Sequence, residues 1–114
     1  MRQGNEPRVG TRAYADVELA QKQLGAREVE RGRSPQFCSG ASAAYHWALG
    51  RADRAPVTGA GDAESVPDLQ VLTAEVDAAV VQMEDPTGRP GPRDYNRGVH
   101  DALAWVCGHS DEAP

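Results

Sequence analysis

The sequence predicts an all-α protein: a four-helix bundle made of two duplicated helical hairpins related by an approximate internal two-fold axis. Three observations predict it. The stretch from Phe37 to Gly50 recurs without a gap from Tyr95 to Gly108, an offset of 58 residues that carries each tryptophan of the chain onto the other, Trp47 onto Trp105. Both copies read aromatic-x-x-Gly-x-x-x-Ala-(Tyr/Leu)-x-Trp-x-x-Gly, and both continue to an aspartate, Asp53 and Asp111. Within each copy, Phe37, Gly40, Ala44 and Trp47, and likewise Tyr95, Gly98, Ala102 and Trp105, follow steps of three, four and three, which place each set on one helix face. Between the copies, Gly/Pro-rich stretches mark turns rather than strands.

These eight residues are the expected core. The bulky ones stand at the ends of each face and the small ones in the middle, so a neighbouring helix axis can approach there. Glycine inside a helix costs about 0.5–1 kcal/mol relative to alanine. Two of them at matching positions, Gly40 and Gly98, therefore point to a packing role. Gly50 and Gly108 follow the last apolar residues and suit the left-handed position after a helix end.

In chain order, residues 1–10 are polar and are expected to form a mobile arm. Hairpin one spans 11–50. Its first helix is expected to start after Thr11 as cap and run to about Arg31, with Tyr14, Val17, Ala20 or Gln21, and Leu24 as the buried stripe and Gly32 as the stop. Ser34-Pro35 then reads as cap and first helical residue of the first repeat helix. Residues 51–66 form a linker broken by Pro56, Gly59 and Gly61, in which Ala55-Pro56-Val57 is expected to dock back beneath Trp47. Hairpin two spans 67–108. Ser65, Pro67 and Asp68 signal the start of its first helix, whose stripe is Leu69, Leu72, Val76, Ala79 or Val80, and Met83. Asp85-Pro86 is read as its end, Thr87 to Pro92 as a stiff turn, and Asp94 as the cap of the second repeat helix. The tail from His109 to Pro114 is expected to fray. A rival arrangement exchanges hairpins between two chains, giving a homodimer.

At 114 residues the chain is one domain, with residues 11–114 as its folded body. There is no apolar run long enough to span a membrane, and the first residues lack a signal-peptide core, so a cytoplasmic location is expected. The net charge of −5 divides into +3 for residues 1–54 and −8 for residues 55–114. The acidic half disfavours nucleic acid as the partner.

The residues offer little chemistry. Among Cys38, Cys107, His46, His100 and His109, only Cys107 and His109 are close in sequence, which is not a zinc spacing. Paired acids fall at Asp16/Glu18, Glu28/Glu30 and Glu75/Asp77. A two-residue step turns them about 200° apart on a helix, away from a shared metal. Ser39 and Ser42 near His46 lack an orienting acid and an oxyanion hole. No phosphate-binding glycine loop is present. No cofactor, metal or catalytic residue is therefore assigned.

The second copy, Tyr95-x-x-Gly98-x-x-x-Ala102-Leu103-x-Trp105-x-x-Gly108, resembles a motif of small, mostly uncharacterised helical proteins of high-GC actinobacteria and their phages or plasmids. The first copy with Arg51, Asp53, Pro56, Val57, Thr58 and Gly59 resembles the same type. The resemblance implies a helical protein from a mobile-element or host context and brings no catalytic residues.

The resulting expectation is a non-enzymatic protein that binds another protein. The expected surface is the acidic face of the third helix, Glu75, Asp77, Glu84 and Asp85, together with the linker. Two alternatives stand beside it. One is a nucleic-acid-associated regulator using the basic N-terminal half. The other is a small-molecule pocket between the tryptophan-bearing helices, lined by Trp47, Trp105, Tyr45 and His46.

Overall fold

The computed structural model describes residues 8–52, 54–59, 67–85 and 90–114, without the side chains of 28, 29, 31, 90 and 91. It is an all-α bundle of four helices: α1 (Tyr14–Arg31), α2 (Pro35–Ala48), α3 (Leu69–Met83) and α4 (Pro90–Val106). They pack in the spatial order α1, α2, α4, α3, with the two repeat helices at the centre and one helix flanking each. Among the described residues, no helix is long and apolar enough to cross a membrane.

The central contact is the duplication made physical. A Cβ placed on Gly40 would lie 2.0 Å from the carbonyl oxygen of Tyr95, and one on Gly98 would lie 2.0 Å from that of Phe37. The offset of 58 exchanges these two contacts, as an isologous two-fold contact requires. Glycine is obligatory at both sites because the obstacle is backbone, which cannot rotate away. Farther along the same helices, Tyr45 meets the edge of Trp105, with ring centroids 6.3 Å apart and planes at 88°. Tyr45, Trp47, Leu103 and Trp105 share one core with Val17, Leu24, Leu72 and Val76. Of the eight predicted core residues, Tyr95 alone is half-buried and the other seven are buried.

The helix ends follow local chemistry. Ser34 Oγ accepts from the Phe37 N–H at 3.1 Å with Pro35 in the first turn, and Asp68 accepts from the Val71 N–H at 2.9 Å. Gly50 and Gly108 adopt φ of 79° and 83°. The donations Gly50 to Trp47 and Gly108 to Trp105 are both 3.0 Å, and Arg51 to His46 and His109 to Ala104 are both 2.8 Å.

Several expectations are corrected. Thr11 does not cap α1. Residues 8–13 form a two-stranded hairpin with Arg8 opposite Ala13 and Val9 opposite Arg12, so the part of the expected arm from Arg8 to Gly10 is ordered. The turn rests on the end of α4, where the Thr11 N–H and hydroxyl each donate to the Val106 carbonyl at 2.9 Å. Asp94 does not cap α4, because that helix starts a turn earlier at Pro90; its carboxylate instead accepts from Ser34 Oγ at 3.1 Å. The tail does not fray. Arg12 donates to the Ser110 carbonyl at 2.7 Å, Arg27 donates to the Ala113 carbonyl at 3.0 Å, and Ala113 and Pro114 are buried. Leu69 lies outside the α3 stripe and is 46% exposed, whereas Glu75 lies inside it. The expectations on residues 1–7, on Ser65 and the rest of 60–66, and on Pro86 to Arg89 fall outside the described residues.

Candidate partner-binding surface

Among the described residues α3 packs against α4, and its buried residues, Leu72, Glu75, Val76 and Ala79, lie along one side. Its opposite side is a surface by construction. Helical spacing puts Gln70, Ala74, Asp77, Val81 and Glu84 along it, all exposed, with Val81 at 65%. An exposed valine between two acids covers nothing among the described residues, while Leu69 and Val71 extend apolar surface at the two edges of this face. Asp77, Glu84 and Asp85 thus stand at the surface as expected.

Glu75 does not. It is 2% exposed, and its carboxylate turns onto the loop that follows α2. It accepts from the Val57 N–H, from the Thr58 N–H at 3.0 Å and from Thr58 Oγ1 at 2.8 Å. A buried carboxylate is tolerated when its oxygens are satisfied in this way. Glu75 is therefore removed from the acidic face and becomes the anchor of the Ala55–Gly59 turn. Through it Ala55 enters the core and Val57 packs against its edge.

That turn closes one wall of an open groove of about 630 Å³. Pro56 and Val57 of the turn line it together with Gln36 of α2, Gln82 of α3, and Pro92, Tyr95 and Asn96 of α4. Among the described residues no Asp, Glu, Lys or Arg lines it. Burial first, and then the negative charge of Glu75, push the Tyr95 hydroxyl above its ordinary pKa, so it stays protonated at neutral pH. Sequence reasoning placed Tyr95 in the core and missed the groove. The available signal was the offset itself, which pairs Arg33 of the first copy with Gly91 of the second.

The expected pocket between the tryptophan-bearing helices is corrected. Tyr45, Trp47 and Trp105 fill the space themselves, and His46 is exposed on the other side of α2, in a shallow depression with Cys38, Ser39 and Ser42. The Tyr45 hydroxyl is fully buried with no partner among the described residues, and burial raises its pKa. Burial also raises the Cys107 thiol, which argues against a reactive thiolate there.

A second cleft, of about 350 Å³, brings Arg33, His100, Asp101 and His109 together, with His100 Nδ1 3.0 Å from the Asp101 carboxylate. Its lining mixes both signs. Among the described residues no group of three or more His, Cys, Asp or Glu could hold a metal ion.

The basic N-terminal half is largely occupied by the fold. Arg12 donates to the Trp105 carbonyl at 2.8 Å and lies 4.8 Å from the centroid of its ring. Arg33 covers Phe37 at 4.4 Å, and Arg51 pairs with Glu18 at 2.5 Å. These guanidinium groups hold carbonyls, rings and a carboxylate of the chain itself, which leaves a phosphate backbone little to grip.

No protein-family model matches the chain, no curated protein matches it, and no solved structure matches it.

Proposed function

We propose that the protein is a non-enzymatic module that binds another protein through the outer face of α3, and that its partner presents basic and apolar side chains. The supporting observation is Val81, 65% exposed and flanked along the helix by Asp77 and Glu84, on a helix whose buried residues all lie on the other side. Apolar area supplies affinity, and the acids select and steer a cationic surface. Arg8, Arg12, Arg27, Arg33, Arg51 and Arg54 are engaged within the chain, which favours this reading over the nucleic-acid one.

The test compares variants of the whole chain in partner capture followed by a binding titration. The double substitution Asp77→Lys with Glu84→Lys is expected to weaken the captured partner at least tenfold and to leave melting unchanged within about 0.5 kcal/mol, the range for surface substitutions. Leu19→Arg, which changes the exposed leucine of α1 (52% exposed), is expected to leave binding intact. Equal retention by all three proteins would rule out this face.

A further inference from the structure

In the first half of the chain, the aromatic residue that opens the repeat has a lid. Arg33 stands four residues before Phe37, and its guanidinium lies 4.4 Å from the ring centroid. In the second half the equivalent ring is Tyr95, and the residue four before it is Gly91, which brings no side chain. The Tyr95 side borders the groove of about 630 Å³ described above. The nearby Arg93 is not among the lining residues; its guanidinium donates to the Asp85 carbonyl at 3.1 Å.

What the groove offers is specific in kind. The tyrosine ring presents an electron-rich face. The carboxamides of Gln36, Gln82 and Asn96 carry three acceptor oxygens, and none makes a hydrogen bond among the described residues. The Glu75 carboxylate behind the wall acts on Tyr95, while Glu84 and Asp85 follow Gln82 at the end of α3. Among the described residues no cation lines the space to oppose another. Among the described residues an anion would find no positive group there, and a metal that seeks carboxylates would find none lining the space. A flat cation with several N–H donors meets each of these features, and the first half holds such a group against the equivalent ring.

We propose that the groove receives an arginine side chain of the partner protein, its guanidinium laid on the Tyr95 ring and its N–H groups donated to the carboxamide oxygens of Gln36, Gln82 and Asn96. This rests on the reading that a basic partner meets the adjoining face of α3, and it names that partner's anchor. Arginine is specified over lysine because a planar, weakly hydrated cation stacks and donates in several directions, whereas an ammonium keeps its water. The partner's arginine takes the place that Arg33 fills from within the chain.

The full-length protein is titrated with N-acetyl-arginine amide and followed by amide NMR shifts, with N-acetyl-citrulline amide and N-acetyl-lysine amide as controls. Saturable shifts are expected at the Asn96, Gln36 and Gln82 side-chain amides and at the Tyr95 backbone. Citrulline, of the same shape without the charge, is expected to bind at least tenfold more weakly. Gly91→Arg is expected to abolish the shifts by supplying the lid from the same chain, and Tyr95→Leu to weaken them about tenfold. Asp77→Lys alone, which leaves Glu84 beside the groove in place, is expected to change this titration no more than about twofold while weakening capture of the whole partner, so loss of the α3-face reading and loss of the anchor read out separately. Equal shifts from lysine, shifts spread over the acidic surface without saturation, or full binding by folded Gly91→Arg would each overturn the proposal. So would a concentration-dependent dimer of the wild type that Gly91→Arg converts to monomer, because the arginine would then come from a second copy.

Discussion

At their C-terminal ends the two repeat helices are interchangeable. Leu49, Gly50 and Arg51 donate to Tyr45, Trp47 and His46 at 2.9, 3.0 and 2.8 Å; Cys107, Gly108 and His109 donate to Leu103, Trp105 and Ala104 at 2.8, 3.0 and 2.8 Å. At their N-terminal ends they part. α2 begins at Pro35 under a serine cap with Arg33 over Phe37, while α4 begins a turn earlier at Pro90 and Tyr95 borders an open groove. Their flanks also differ, since the short hairpin of residues 8–13 seals the end of α4 whereas Glu75 fixes the loop after α2. Both halves share what fixes the axis-to-axis contact and differ in what lies around it. Function is therefore to be sought at the periphery, where the symmetry fails.

The largest effects should come from the shared residues. Trp47→Ala and Trp105→Ala are each expected to destabilise by about 3–5 kcal/mol, the range for large core truncations. Denaturant melts should place the two within about 1 kcal/mol of each other; a change under 1 kcal/mol in either would break the equivalence of the halves. Next come Gly40→Ala and Gly98→Ala, each expected to lose about 2–3 kcal/mol although alanine is the better helix former. Both glycines serve one crossing, so the first substitution already parts the helices. The double variant should therefore lose less than the two singles together, by about 1 kcal/mol in a double-mutant cycle. Strict additivity would mean that the two contacts are independent.

The smallest effect sharpens a place where the halves differ. Tyr45 corresponds to Leu103, and its buried hydroxyl has no partner among the described residues. Tyr45→Phe removes an unsatisfied group and is expected to stabilise by up to about 1 kcal/mol. The sign with pH follows from the raised pKa. The hydroxyl stays protonated in the folded protein and ionises in the unfolded chain near pH 10. Its contribution is constant below that pH, and stability falls as pH rises above it. Melts at pH 8 and pH 11 should show this fall in the wild type and a smaller one in Tyr45→Phe.

The bundle was legible because its signals are local and doubled. Helical spacing located both repeat faces, and Gly32, Gly50 and Gly108 marked helix ends on conformational grounds alone. Thr11 and Asp94 were misread because each carries a good local capping signal that a distant partner takes over: the Val106 carbonyl for one and the Ser34 hydroxyl for the other. Glu75 was placed on the acidic face by composition, whereas its environment is set by two backbone N–H groups 17 and 18 residues away, which helix periodicity cannot register. The groove was invisible for a related reason: it is bounded by α2, α3, α4 and the turn, and only the mismatch of Arg33 with Gly91 betrays it.

The Glu75 clamp also governs how the two hairpins find each other. With residues up to Gly59 fixed on the body of the protein, the segment left to join them runs only from Gly59 to Pro67, at most about 29 Å of extended chain. So short a tether keeps each repeat helix at a local concentration of its mate on the order of millimolar. A hairpin from another molecule would have to exceed that to displace the one already attached, which makes closure within a single chain the favoured outcome at ordinary protein concentrations.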